Sequence, residues 1–136
     1  MEEQKFSDLR AKLRKKTKAS PEVLEEFISS LNRSLPEDYV SFLRDCDGAE
    51  GSIGNSYIQL WSSGDIIARN KEYKVEEFAP GLLIFASDGG DRAFAFDLRF
   101  DPVIIVEIPF IGMSIESIVR CGSTFSEFLQ YLAVSN

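Results

Sequence analysis

The chain contains no histidine. Ser-His-Asp and Cys-His nucleophilic sites are thereby excluded, as are most zinc and non-haem iron sites. Any catalysis would rest on carboxylates, lysine, tyrosine or cysteine. Cysteine is scarce too. Cys46 and Cys121 lie far apart, belong to no Cys-x-x-Cys or Cys/His cluster, and sit among apolar neighbours. Two buried free thiols are expected, because a disulfide is disfavoured in a reducing compartment. No apolar run approaches the ~20 residues of a membrane span. The first sixteen residues also lack the apolar segment and small-residue cleavage site of a secretory signal. Cytoplasmic location is the expectation, without membrane, metal or cofactor.

What is present suits one domain. The 136 residues suffice for one core, and 44% apolar with 27% charged residues is the balance of a folded protein. Eleven phenylalanines point to a core built on aromatic bulk. The net charge of −7 is unevenly spread. Residues 1–18 hold seven basic and three acidic side chains, a balance of +4. The rest hold eight basic and nineteen acidic side chains, a balance of −11. An acidic body repels nucleic acid and steers basic partners toward itself. The segment RAKLRKKTK reads as the solvated face of a helix rather than a phosphate-binding arm.

Hydrophobic periodicity orders the elements. Phe6, Leu9 and Leu13 share a helical face, which predicts a basic amphipathic helix over residues 2–16. Ser20-Pro21 is an N-cap followed by proline at the first helical position, opening a stripe of Val23, Leu24, Phe27, Ile28 and Leu31. Tyr39, Phe42, Leu43 and Cys46 give a third helix between Pro36 and a left-handed Gly48. AEGSIGNS reads as loop and YIQLW as a strand with Tyr57, Gln59 and Trp61 on one face. Ser62 and Asp65 resemble a capping box for a helix over SGDIIARNKEY, and KVEEF reads as exposed loop. LLIFAS, AFAFD and VIIVEI are strands, and Thr124 with Glu127 caps a closing helix bearing Phe125, Phe128, Leu129 and Leu132. Helices first, then mostly strands with short turns, then one helix implies an α+β domain with a mostly antiparallel sheet.

The candidate chemistry is thin. Asp45-Cys46-Asp47-Gly48-Ala49-Glu50 fails the calcium-loop pattern, with glycine at position 4, alanine at 5 and Ser56 at 12. Gly48, Gly51 and Gly54 lack the Gly-Lys-Ser/Thr of a phosphate loop, so turn conformations account for them better. Asp88 and Asp91 flank Gly89-Gly90 and would be the pair for a carboxylate-dependent hydrolase. A two-residue hairpin turn exposed to water explains them more simply. Trp61 is either core or an interface anchor, with core favoured. Glu76-Glu77 suit the rim of a surface that meets a basic partner.

Four of these patterns, taken in order, resemble the SMI1/KNR4 family of the SUKH superfamily. LPEDYVSFLRDCDGAEG (35–51) resembles its Leu-Pro-x-x-Tyr-x-x-Phe-Leu helix and glycine-bearing loop. YIQLWSSGDIIARNKEY (57–73) resembles its strand, capped helix and Asn-x-x-Tyr segment. FASDGGDRAFAFDLR (85–99) is similar to its glycine turn and aspartate-ended strand, and CGSTFSEFLQYL (121–132) to its closing helix. The resemblance spans residues 20–132. It implies an α+β fold without catalytic residues and, as in many bacterial members, an immunity protein that occludes a toxin, often a nuclease. A regulatory or scaffold module of the same fold is the alternative. Partner-contacting candidates are Glu50, Trp61, Glu76, Glu77, Asp88, Asp91 and Asp101.

Overall fold

Every strand pairs antiparallel with the strand before it, so the sheet is a meander whose spatial order β1 to β7 is the sequence order. The computed structural model describes residue 11, residues 13–15 and residues 20–134. Within them, six strands of four or more residues follow the two-residue β1 (Arg14–Lys15): β2 (Ala49–Ile53), β3 (Ser56–Leu60), β4 (Leu82–Ser87), β5 (Arg92–Asp97), β6 (Ile104–Pro109) and β7 (Val119–Gly122). Five helices accompany them: α1 (Pro21–Ser29), α2 (Glu37–Asp45), α3 (Ser63–Glu72), α4 (Val75–Phe78) and α5 (Phe125–Val134). The protein is thus α+β with a closing C-terminal helix. No helix among the described residues is long and apolar enough to cross a membrane.

The helices start where the local chemistry dictates. Ser20 caps α1 by accepting from the Val23 N–H, with Pro21 in the first turn. Two other caps come from distant residues. Asp47 accepts from the Ser63 N–H at 2.7 Å and the Ser63 hydroxyl at 3.0 Å, in place of any side-chain bond from Ser62. Asp38 accepts from Phe125 N–H and Ser126 N–H at 2.9 Å each, tying α2 to the start of α5. Thr124 Oγ1 accepts from Glu127 N–H, and Glu127 Oε1 reaches back one residue further than a standard capping box, to Ser123 N–H.

Opposed residues share a face of the sheet, and the pairing separates two rows. Leu60, Ala86, Phe94 and Glu107 form one row. On this side α2 and α5 bring Tyr39, Phe125 and Phe128 against Phe85, Phe94 and Phe96, with ring centroids 4.2–5.6 Å apart. All six rings are at most 2% exposed, and they form the centre of the core. Glu50, Gln59, Ser87, Ala93 and Ile108 form the opposite row. Where β3 parts from β4, α3 runs beside β4, and Asn70 clamps it by donating to Ile84 O and accepting from Ile84 N–H at 2.8 Å each. Strand β4 is buried along its whole length.

Several expectations need correction. Arg14–Lys15 pair with Ala49 and Glu50 as a strand, so the N-terminal helix does not run to residue 16; most of that segment lies outside the described residues. AEGSIGNS is not loop: Ala49–Ile53 forms β2, because alternating Ala49, Gly51 and Ile53 present a buried face that glycine-rich composition concealed. The α2 helix ends at an extended Cys46, two residues before Gly48, whose φ of 105° serves the entry to β2. KVEEF contains the short helix α4, and β7 was not foreseen. Trp61 lies just past β3, its N–H donating to Phe85 O.

Candidate functional site

The β4–β5 connection is wider than a two-residue turn. Asp88 N–H donates to Arg92 O, leaving Gly89, Gly90 and Asp91 as the connecting residues. Only Gly89 of the two glycines has positive φ, at 82°. Asp88 Oδ1 accepts from Gly90 N–H at 2.8 Å and Arg92 N–H at 3.2 Å, so this carboxylate organises its own loop. Asp91 is exposed, and its backbone carbonyl accepts from the Phe110 N–H at 2.8 Å. The two carboxylates therefore do different work and do not converge on a common point.

The hairpin sits over β3. A side chain at Gly89 would meet the rings and amide of Tyr57 and Gln59 within 3.7 Å. Beside Tyr57, Glu50 accepts a hydrogen bond from the Tyr57 hydroxyl, which raises the phenol above its ordinary range. A small cavity of about 220 Å³ opens between Tyr57, Asp88, Arg92, Glu107 and Tyr131. Arg92 is bonded to Glu107 at 2.8 Å, and the Tyr131 hydroxyl donates to Glu107 at 3.2 Å. Cys121 completes this network. Burial, reinforced by the Glu107 charge, pushes its thiol up to about 12, and burial pushes Tyr131 to about 12 as well. A thiol held protonated is a poor nucleophile. The network ties β5, β6, β7 and α5 together at one corner.

Next to the hairpin lies an aromatic patch. Trp61 is 5% exposed and stacks on Tyr73 at 6.3 Å, with the Arg69 guanidinium over its ring at 4.9 Å. Tyr73 packs against Phe110 at 4.6 Å, and Ile111 beside it is 85% exposed. Trp61 thus supports exposed aromatics instead of presenting its own face. Sequence reasoning missed Tyr73, Phe110 and Ile111, which come from two segments joined only by the fold. The run Pro109-Phe110-Ile111-Gly112, too apolar for a turn between strands, was the available signal.

The remaining candidates lie elsewhere. Glu76 and Glu77 stand on α4 at the edge of an apolar groove of about 570 Å³, floored by Ile67, Val75, Leu82, Leu83 and Leu98. Asp101 lies beyond β5, 3.8 Å from Arg33, whose Nε donates to Leu98 O. The structure therefore divides the seven candidates into a hairpin side, with Glu50, Trp61, Asp88 and Asp91, and a groove side, with Glu76, Glu77 and Asp101. Among the described residues, no three Cys, Asp or Glu side chains gather as a metal cluster. Cys46 and Cys121 are both buried and are not joined in a disulfide.

The antiparallel meander with its accompanying helices and closing C-terminal helix defines a single α+β domain. The SMI1 / KNR4 family (SUKH-1) pattern matches residues 18–131, and the chain belongs to that family. No curated protein matches the chain.

Proposed function

We propose that the protein is an immunity-type binding protein of the cytoplasm, which neutralises a basic, nuclease-like toxin by stoichiometric occlusion and without chemistry. Membership of the SMI1/KNR4 family, over most of the chain, carries this reading. The family is known for immunity-type proteins that bind toxins. The charge balance agrees, because the −11 of residues 19–136 steers a cationic partner toward the body.

The hairpin side is the proposed contact. Tyr73, Phe110 and Ile111 supply rigid apolar anchors, and Asp91 supplies an exposed carboxylate beside them. Aromatic anchors ringed by charge are the usual composition of an interface centre. Glu50 and Asp88 act behind this surface, holding Tyr57 and the hairpin loop.

The test is co-expression with the toxin domain encoded beside this gene. The protein should restore growth, and Ile111→Asp or Asp91→Lys should abolish protection while leaving the fold intact. Binding should weaken as salt rises, because its steering is electrostatic. No protection against any neighbouring toxin would refute the reading.

A further inference from the structure

The groove between α3, α4 and β4 is unlike the hairpin side in its charge. Its floor is aliphatic: Ile67, Val75, Leu82, Leu83 and Leu98. Ile67 also lines a second depression of about 480 Å³ against Val23 and Phe27 of α1. Exposed apolar side chains stand on the elements that border these depressions: Phe78 on α4 at 51% and Val23 on α1 at 41%, with Phe100 beyond β5 at 48%. Phe100 reaches this region through Arg99, whose guanidinium lies over its ring and whose stem packs on Gly81 at the groove edge. An apolar depression flanked by apolar projections marks a protein contact more than a solvated surface.

The rim decides what kind of contact. Lys71 and Lys74 border the groove from the end of α3 and the α3–α4 junction, and Glu76 and Glu77 border it from α4. All four are exposed, and none is in an ion pair with another described residue. A small anion attracted by the lysines would meet the glutamates, and a basic partner would meet the lysines. The rim sums to zero, whereas the rest of the body is acidic. A surface with two unpaired cations and two unpaired anions, a depression and a projecting Phe78 is complementary to itself.

We infer that this groove is the interface of a two-fold homodimer. A two-fold axis makes any contact between residue i and residue j occur twice. It sets Lys71 and Lys74 of one copy against Glu76 and Glu77 of the other, and each Phe78 toward the other copy's groove. The backbone supports the assignment. Lys74 is the one non-glycine residue with positive φ among the described residues, at 56°. Left-handed conformations in side-chain-bearing residues are costly and concentrate at functional surfaces. Here that conformation makes the abrupt bend that sets α4 beside α3 and opens the groove. The inference does not rest on the toxin reading, and the hairpin side stays free in the dimer.

Sedimentation equilibrium of the purified chain over a range of concentrations tests it. A monomer–dimer equilibrium is expected. The double reversal Lys71→Glu with Lys74→Glu should weaken it at least about tenfold by placing four carboxylates together on each half of the interface. Adding Glu76→Lys and Glu77→Lys to that variant should restore the dimer, because the swapped rim is again self-complementary. Leu98→Asp should also dissociate it, with circular dichroism and urea unfolding verifying that each variant is folded. A chain that sediments as a monomer at every concentration overturns the inference, as does a dimer indifferent to both the charge reversal and Leu98→Asp. Occupation of the groove by a different protein, with the chain alone monomeric, overturns it equally.

Discussion

The two helical covers of the sheet, α2 with α5 and α3 with α4, are built by different rules. On the α2–α5 face six rings pack edge-on or stacked with at most 2% exposure, and Asp38 fastens one covering helix to the other. On the α3–α4 face the cover is incomplete. Asn70 and Asp47 hold α3 in place, but grooves open along Ile67, four rim charges have no ion-pair partner among the described residues, and Tyr73, Phe78 and Ile111 reach solvent. The contrast separates apolar surface consumed in folding from apolar surface left in contact with water.

That contrast can be broken from its stronger side. Phe85→Ala removes a ring touching Tyr39, Phe96 and Phe128 and should cost about 4 kcal/mol, read as a shift in the urea midpoint. Ile67→Ala, on the half-buried groove floor, should cost about 1 kcal/mol. Equal losses at the two positions would show that the faces are not different in kind.

A buried charge gives the next largest effect. Asp97 is fully buried, and Arg99 donates to it from Nε at 2.9 Å, from NH2 at 2.7 Å and from its backbone N–H at 3.1 Å. Arg99→Ala strips the two side-chain bonds from a carboxylate that water cannot reach, for a loss of about 3 kcal/mol. Adding Asp97→Asn to that variant should recover part of it, since the charge is removed. A double variant less stable than Arg99→Ala would contradict this account. The arginine is held above its ordinary range by the same carboxylate.

Asp38→Ala should cost about 1–2 kcal/mol, because two N–H groups at the start of α5 lose their acceptor. Unfolding in urea at pH 7 measures it. Asp47→Ala should cost a similar amount at α3. Because α3 lies on the open face, that variant should also weaken partner binding; Asp38→Ala should not.

Alkali should act mainly through the α5 corner. Burial raises Cys121 and Tyr131 to about 12, and Tyr39 upward too. In the unfolded chain these groups lose their protons first, so the unfolded state binds fewer protons than the folded one as pH rises. Stability is therefore full below the unfolded thiol value and falls between about pH 9 and pH 12. Cys121→Ser measured against the parent at pH 7 and pH 10.5 checks the sign; a parent that gains stability over that interval would contradict it. The smallest effect is expected at the rim, where Lys71→Glu should change stability by no more than about 0.5 kcal/mol.

Much of the closed face was legible in the sequence. Phe125, Phe128 and Leu129 repeat at helical spacing, and Phe94 and Phe96 alternate, because burial on one face imposes a period on the chain. The open face was harder to read. Strand β2 hides in AEGSI because its inward residues are alanine, glycine and isoleucine, too small to declare a strand. The α3 cap comes from Asp47, sixteen residues earlier, where local pattern pointed to Ser62. The aromatic patch joins Tyr73 to Phe110 across the sheet, and no local period records such a contact. Ile67, Lys71 and Lys74 do share one helical face by spacing, which marks the groove once α3 is placed. Asp88 and Glu50 proved to be engaged within the chain, while Asp91 stands beside the exposed aromatics.

The proposed role is occupation of a toxin through the hairpin side, by Tyr73, Phe110 and Ile111. It is tested most directly by titrating the purified chain into the proposed partner, a nuclease-like toxin domain, while following nucleic-acid cleavage. The account predicts that cleavage falls linearly to zero at one chain per toxin and that Ile111→Asp abolishes this inhibition. Inhibition by far less than one equivalent would reveal turnover, and no inhibition at any ratio would remove the toxin-binding role; either result would contradict it.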